Sequence, residues 1–303
     1  MSDRVFLSQF SPQRTDPEAL EQILVQRHEL LAESVDRVRT SVLTANKHHL
    51  LFIGPRGAGK SHLVTLIHHR LARQTDLADH LRFAWLNEDE TSTSFLKLLL
   101  RIHRDLSSRY PNEFPASDVA NVYGSDADTA RLRMEEILVN RLGGRTLVLL
   151  LENLDALFLN LDEVEQRSWR AFLQNHPIVS TIGTAQALFD GVANRDLPFF
   201  GFFEAHTLRA LSVDDATTLL ENIARLNGQT DLLEFLGTAR GKARIRAIHH
   251  LSGGNPRLYI ILSDFLTRDS LDSLVRPFEE TVDKQLTAYY QERTVDFLNT
   301  SNY

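Results

Sequence analysis

The octapeptide Gly54-Pro55-Arg56-Gly57-Ala58-Gly59-Lys60-Ser61 constrains this chain more than any other stretch of it. It follows an apolar run, His49 to Ile53, that reads as a buried strand. It precedes Ser61 to Arg73, where Leu63, Leu66, Ile67 and Leu71 recur at helical spacing. A strand, a glycine-rich turn and a helix in that order predict a backbone wrapped closely round an anion. Glycine permits the dihedrals and puts no Cβ in the way. Successive N–H groups then point inward as an anion nest, and the helix adds the positive end of its dipole. The spacing G-x-x-x-x-G-K-[ST] is matched in full, so Gly54 to Ser61, with His62 next in line, is the expected polyphosphate site. Lys60 is expected at the β- and γ-phosphates and the Ser61 hydroxyl on Mg²⁺, which makes ATP and Mg²⁺ the implied cofactors.

Such a loop needs an acid from a second strand to hold the metal. Leu147 to Leu151 is apolar without alternation, as a central parallel strand covered on both faces requires. Glu152 emerges at its C-terminal edge, where open α/β sheets bind ligands, and is the expected second metal ligand beside Ser61.

The remaining pattern alternates strands with helices. Asp16-Pro17-Glu18 starts a helix, and apolar spacing continues to Val42, as one long helix or as two with a short break near Gln26 to Glu29. Arg82–Leu86, Thr146–Leu151, Ile178–Ile182 and Phe202–Leu208 read as further strands. Ser94–Tyr110, Thr129–Leu142, Asp162–Asn175 and Ala185–Val192 read as helices. This argues a doubly wound parallel sheet. From Ser212, whose Asp215 completes a capping box, helices are expected near 213–226, 231–236, 241–251, 256–269 and 277–298. The expected organisation is an N-terminal helical segment over 1–45, an α/β core over 46–208 and a small all-helical domain over 209–303.

Composition sets outer limits. With 303 residues, 43% hydrophobic and 24% charged, the chain can bury a core. Its net charge of −7 argues against a polycation that coats nucleic acid. It has no cysteine, which excludes disulfides, thiolate metal sites and cysteine nucleophiles. No signal peptide is read in Met1 to Phe10, and no apolar run is long enough for a membrane span, so a cytoplasmic location without membrane contact is expected.

With Glu152 at the end of its strand, the chain resembles the AAA+ ATPases, especially the branch of origin-recognition-type initiators and STAND signalling ATPases. The resemblance extends from about residue 20 to 300 and implies a P-loop α/β core with a parallel sheet, followed by a helical lid. Relatives carry Asp-Glu where this chain has Glu152-Asn153. Asn153 therefore falls where the family keeps the glutamate that activates water, and an amide cannot take that proton. Either hydrolysis is slow and nucleotide occupancy is the signal, which is the favoured reading, or Asp155 takes part. Ile178 to Gln186 looks like the sensor-1 strand, with Thr184 or Gln186 as the polar group at the γ-phosphate. Arg195 is similar in position to an arginine finger for a neighbouring subunit, with Phe199, Phe200, Phe202 and Phe203 close by in sequence. Leu251-Ser252-Gly253-Gly254-Asn255-Pro256-Arg257 resembles the sensor-2 turn of that branch, with Arg257 at a helix start as the nucleotide-sensing cation. Gln26-Arg27-His28-Glu29 is weakly similar to an Arg-x-x-Glu-like box near the adenine.

The resemblance implies a homo-oligomer in the ATP state, an unidentified protein partner, and one of two roles. One is a switch in a DNA transaction of the replication-initiation or transposition type. The other is a STAND-like signalling or defence ATPase that assembles without DNA. Relatives continue past a segment like Ala288 to Arg293 into a winged-helix domain, for which no room is expected before Tyr303; with the net charge, this weakens the DNA reading. A small-molecule P-loop kinase fits poorly with the Gly-Gly-Asn-Pro-Arg turn. The histidine pairs 48–49, 68–69 and 249–250 are expected as surface or core residues rather than metal ligands, and Trp85 and Trp169 as packing. Arg101, His103 and Arg104 are expected on a solvated helix face.

Overall fold

The computed structural model describes residues 12–87, 92–120, 122, 124 and 126–263. The expected helix over 277–298, the end of that over 256–269, and the segment Ala288 to Arg293 lie outside the described residues.

The chain divides into two compact units, one of residues 28–209, the other joining the residues before His28 to those from Ala210 onward. The N-terminal segment expected over 1–45 is thus split. Its first helix, α1 (Pro17–Gln22), belongs with the helical unit, and its second, α2 (His28–Leu43), with the α/β unit. Asp16 caps α1 by accepting the Ala19 N–H at 3.0 Å, as its place before Pro17 predicts.

The α/β unit continues with β1 (Leu50–Ile53), α3 (Lys60–Ala72), β2 (Leu81–Leu86), α4 (Phe95–Arg109), α5 (Ala127–Leu142) and β3 (Thr146–Leu151). It is completed by α6 (Leu154–Asn160), α7 (Glu163–Asn175), β4 (Val179–Ala185), α8 (Asp190–Ala193) and β5 (Glu204–Thr207). The strands form one parallel sheet in the order β2-β3-β4-β1-β5. Every residue of β1, β3 and β4 is buried, which is why these segments read as unbroken apolar or small-residue runs. Edge strand β5 alternates half-buried and exposed positions instead. The core packs the sheet against Leu98, Leu99, Met134, Leu138, Trp169 and Phe199.

Two local readings are corrected. No helix spans Ala185 to Val192. Strand β4 runs on through Thr184 and Ala185 because its ladder with β1 continues to the Ile53–Ala185 pair, and only Asp190–Ala193 is helical. Helix α6 lies where no helix is expected, although Leu154, Leu157 and Phe158 have the one-sided spacing of one and are all buried.

The helical unit contains α9 (Val213–Leu226), α10 (Thr230–Gly237), α11 (Ala239–Ser252) and α12 (Pro256–Ser263). The capping box forms as read: Asp215 N–H donates to Ser212 Oγ at 3.1 Å, and Ser212 N–H donates to Asp215 Oδ2 at 3.0 Å.

Candidate nucleotide site

The strand order decides which residues can meet. Strand β4 lies between β1 and β3, so three C-terminal edges stand side by side: the glycine loop after β1, Thr184 near the end of β4, and Glu152 after β3. Ligands of open α/β sheets bind at this edge.

Each glycine of the loop has a physical task. Gly57 and Gly59 hold φ of 83° and 88°, which other L-residues rarely adopt. A Cβ on Gly54 would stand 3.1 Å from Ala58 Cβ and 3.3 Å from the Leu208 carbonyl, so the start of the loop leaves no space for a side chain. Gly59 caps α3 without any side-chain bond to its first turn, the end of a helix that attracts anions. Lys60 is buried and folds back onto its own loop, donating to Gly54 O at 2.5 Å and Pro55 O at 3.1 Å. Arg56, Ser61 and His62 are half-buried, and Pro55 is exposed.

Ser61 and Glu152 meet: Ser61 Oγ donates to Glu152 Oε2 at 2.8 Å. The other carboxylate oxygen accepts the indole N–H of Trp85 at 3.1 Å. A hydroxyl and one carboxylate, both hard oxygen donors, suit Mg²⁺, which keeps most of its shell for water and phosphate oxygens. Among the described residues no group of three or more histidine, aspartate or glutamate side chains is arranged to hold a metal ion. The glycine cradle, the buried ammonium and this oxygen pair fit a magnesium-bound polyphosphate.

The turn after Glu152 is tied to β4 at two points. Asn153 sits in the left-handed region at φ 54°, which asparagine tolerates better than most residues, and its N–H donates to Thr184 Oγ1 at 3.2 Å. Asp155 Oδ2 accepts the Gln186 N–H at 3.0 Å, while its Oδ1 is buried without a partner. Of the two sensor candidates, Thr184 is buried beside Asn153, whereas the Gln186 side chain is exposed.

Arg195 is exposed in the segment after α8, its guanidinium 6.0 Å from the Phe200 ring. The phenylalanines divide: Phe199 is fully buried, and Phe200 is half exposed. Arg257 lies in the first turn of α12 in the helical unit, its N–H donating to Asn255 Oδ1 at 3.0 Å. The turn ahead of it is tight. Gly254 holds φ 73°, a Cβ there would lie 2.4 Å from Leu211 O, and Leu211 N–H donates to Gly254 O at 2.9 Å. Gln26 stands at φ 71° with its amide on Asp215 Oδ2 at 2.6 Å. Burial of Arg27 lowers its pKa and Asp215 opposes the shift; His28 and Glu29 open α2.

One histidine of each pair, and His103, have defined surroundings. His49 is buried and accepts the Thr181 N–H at 3.3 Å on Nδ1; burial drives its pKa down to about 3. His68 packs 4.5 Å from the Phe83 ring and 5.4 Å from Trp85; burial drives it to about 4. His249 Nε2 lies 2.8 Å from Leu211 O. His103 does not join Arg101 and Arg104 on a solvated face. It turns inward, 3.5 Å from Asp118, because residues one position apart do not share a helix face.

Trp85 is the site residue that sequence reasoning missed. Its signal is the β2–β3 register: Trp85 pairs with Leu150, and Glu152, two residues further on, points to the same face.

The fold and site define a P-loop α/β nucleotide-binding architecture with a separate helical unit. No protein-family model matches the sequence, and no curated protein matches it. Solved structures do. The Walker-type ATPase of Pyrococcus abyssi is 13% identical, over 92% of this chain and 77% of that one, with a TM-score of 0.59. The ORC2 protein of Aeropyrum pernix in its ADP form is 14% identical, over 85% and 71%, with a TM-score of 0.60. The Aeropyrum pernix ORC1 protein in complex with DNA is 15% identical, over 88% and 70%, with a TM-score of 0.54. The fold is therefore the one these solved structures share, that of a Walker-type ATPase and of two origin-recognition proteins.

Proposed function

We propose that this chain binds ATP with Mg²⁺ and acts as a nucleotide-dependent switch with slow hydrolysis. The observation that carries the reading is the 2.8 Å approach of Ser61 to Glu152, which follow strands β1 and β3 that are not neighbours in the sheet, beside buried Lys60. Lys60 and main-chain amides of the glycine loop hold the triphosphate, and Ser61 and Glu152 hold the cation. Bound Mg²⁺ supplies charge neutralisation at the β- and γ-oxygens. Thr184 contacts the γ-phosphate side, and Arg257 is the candidate nucleotide-sensing cation. Asn153 supports slow turnover, since its amide can orient a water but cannot accept its proton. Asp155 is engaged with the Gln186 backbone, which favours a fixed carboxylate over a mobile base.

Arg195, exposed beside half-exposed Phe200, suits a finger offered to a second copy of this chain in an ATP-bound homo-oligomer. The fold shared with an origin-recognition protein solved with DNA supports a role in a DNA transaction. The net charge of −7 favours the second reading, a signalling ATPase that assembles with itself or a protein partner without DNA. No helix among the described residues is long and apolar enough to cross a membrane.

Calorimetry with ATP and Mg²⁺ tests the core reading: uptake is expected, and Lys60→Ala should weaken it by at least about 100-fold while far-UV dichroism is unchanged. Unaltered uptake by that variant overturns the reading, whereas turnover by the isolated chain well above about 1 per second overturns the slow hydrolysis alone. Light scattering with ATP or ADP, with and without duplex DNA, separates the two roles.

A further inference from the structure

We propose that Trp85 is a positioning residue for the metal site: its indole N–H fixes the rotamer of Glu152 so that the carboxylate is already aimed at the cation Ser61 shares. This inference rests on the nucleotide reading above and adds to it a group outside the loop and outside the acidic strand end.

The physical case begins with Glu152 itself. Its side chain has one more rotatable bond than an aspartate, and a long carboxylate at a strand end is free to swing unless something holds it. Ser61 and Trp85 both hold it here. Ser61 Oγ takes Oε2 at 2.8 Å and Trp85 Nε1 takes Oε1 at 3.1 Å, so both oxygens are fixed and lone pairs remain on each. The bonds have different fates. Ser61 gives up its bond to Oε2 when both residues ligate one cation. The Trp85 bond is on the other oxygen and is kept.

Trp85 is equipped to hold that position. The side chain is buried, and a buried indole N–H needs an acceptor. The acceptor it has is the carboxylate, which makes the bond charge-assisted. Its ring packs against His68 of α3, the helix that carries Lys60 and Ser61. Its backbone N–H donates to Asp105 Oδ2 at 2.9 Å, and Asp105 in turn accepts Arg109 Nε at 2.7 Å. A continuous line of contacts therefore runs from α4 through Trp85 and Glu152 to Ser61. Pure packing would explain the burial and the ring contacts. It does not explain an indole N–H spent on the one carboxylate of the proposed metal pair.

The test uses the full-length chain and separates metal from nucleotide. ATP affinity is measured by calorimetry with Mg²⁺ and again with EDTA, for wild type and for Trp85→Phe, which keeps an aromatic ring and removes the donor. The variant is expected to lose roughly tenfold in the presence of Mg²⁺, the scale of a lost outer-shell bond, and nothing in EDTA. In parallel, the chain has two tryptophans and so two indole N–H resonances. The one from Trp85 should shift when Mg²⁺ is added to ATP-saturated wild-type protein, and that from Trp169 should stay. Trp85→Phe with equal affinity in both conditions overturns the inference, as does loss of the same size in EDTA, which marks packing alone. Should the variant not fold, the wild-type indole resonance decides, and its failure to respond to Mg²⁺ overturns the inference. Wild-type protein that takes up no ATP overturns the nucleotide reading and this inference together.

Discussion

The two compact units hold their candidate nucleotide residues by opposite means. In the helical unit, the turn that presents Arg257 is built mainly from consecutive residues and is pinned at one point, Gly254, by Leu211. Gly253 ends α11 at φ 60°, Ser252 Oγ donates to Tyr259 Oη at 3.1 Å, and Asn255 receives the Arg257 N–H. In the α/β unit, the corresponding groups come from far apart in the chain. Ser61, Trp85, Glu152 and Thr184 sit on different elements and meet only because β4 is inserted between β1 and β3. A locally built turn can be damaged one residue at a time. A site assembled by a sheet depends also on buried strand positions outside the site.

The contrast can be broken with core truncations. Leu149 is buried at the centre of β3, paired to both Ala84 and Thr181 and distant from Glu152 in side-chain function. Leu149→Ala removes three carbons from a packed layer and should cost about 2–5 kcal/mol. Both tryptophans, Trp85 and Trp169, lie in the α/β unit, so tryptophan emission during urea unfolding follows that unit, while far-UV dichroism follows all helices. The emission midpoint is expected to fall most. A midpoint within error of wild type would mean that β3 is not the element holding the site together.

Gly254→Ala asks the same of the helical unit. The residue needs φ 73°, and the new Cβ would sit 2.4 Å from the Leu211 carbonyl oxygen, a backbone atom that cannot step aside cheaply. The expected loss is about 1–3 kcal/mol, seen by dichroism with the tryptophan emission transition little changed. Coincident shifts in both probes would mean that the units unfold as one, and the contrast between them would lose its energetic meaning.

The same contrast explains what the amino-acid sequence made legible. Strand β3 occupies the residues its apolar run marks, Thr146–Leu151, and α9 begins at the capping box read from Ser212 and Asp215. The glycine loop and the Gly253-Gly254 turn are legible for the same reason: their physics is contained in a few consecutive residues. The bond from Trp85 to Glu152 is not, because it depends on a strand register that no local pattern encodes. Residues 185–189 fail as a helix because pairing with β1 holds Ala185 in the sheet and Asp155 claims the next N–H. Helix α6 starts unusually: Asn153, although asparagine is a common N-cap, sits in the left-handed region and makes no side-chain cap bond.

The smallest expected effect concerns protons. His49 and His68, both in the α/β unit, are held neutral chiefly by burial, at about 3 and about 4 against an ordinary 6.5. Below about pH 6.5 the unfolded chain binds protons at these two positions and the folded chain does not. The unfolded state therefore gains on acidification: their contribution is complete above pH 6.5 and declines as the pH falls towards the folded values. Between pH 7 and 6 the loss from one such histidine is under about 1 kcal/mol. His68→Phe isolates one of them. The ring stays against Phe83 and Trp85, and the buried Nδ1, which has no partner, is removed. The urea midpoint read by tryptophan emission should then vary less between pH 7.5 and 5.5 than in wild type. An unchanged slope would assign the acid sensitivity of the sheet to its carboxylates instead.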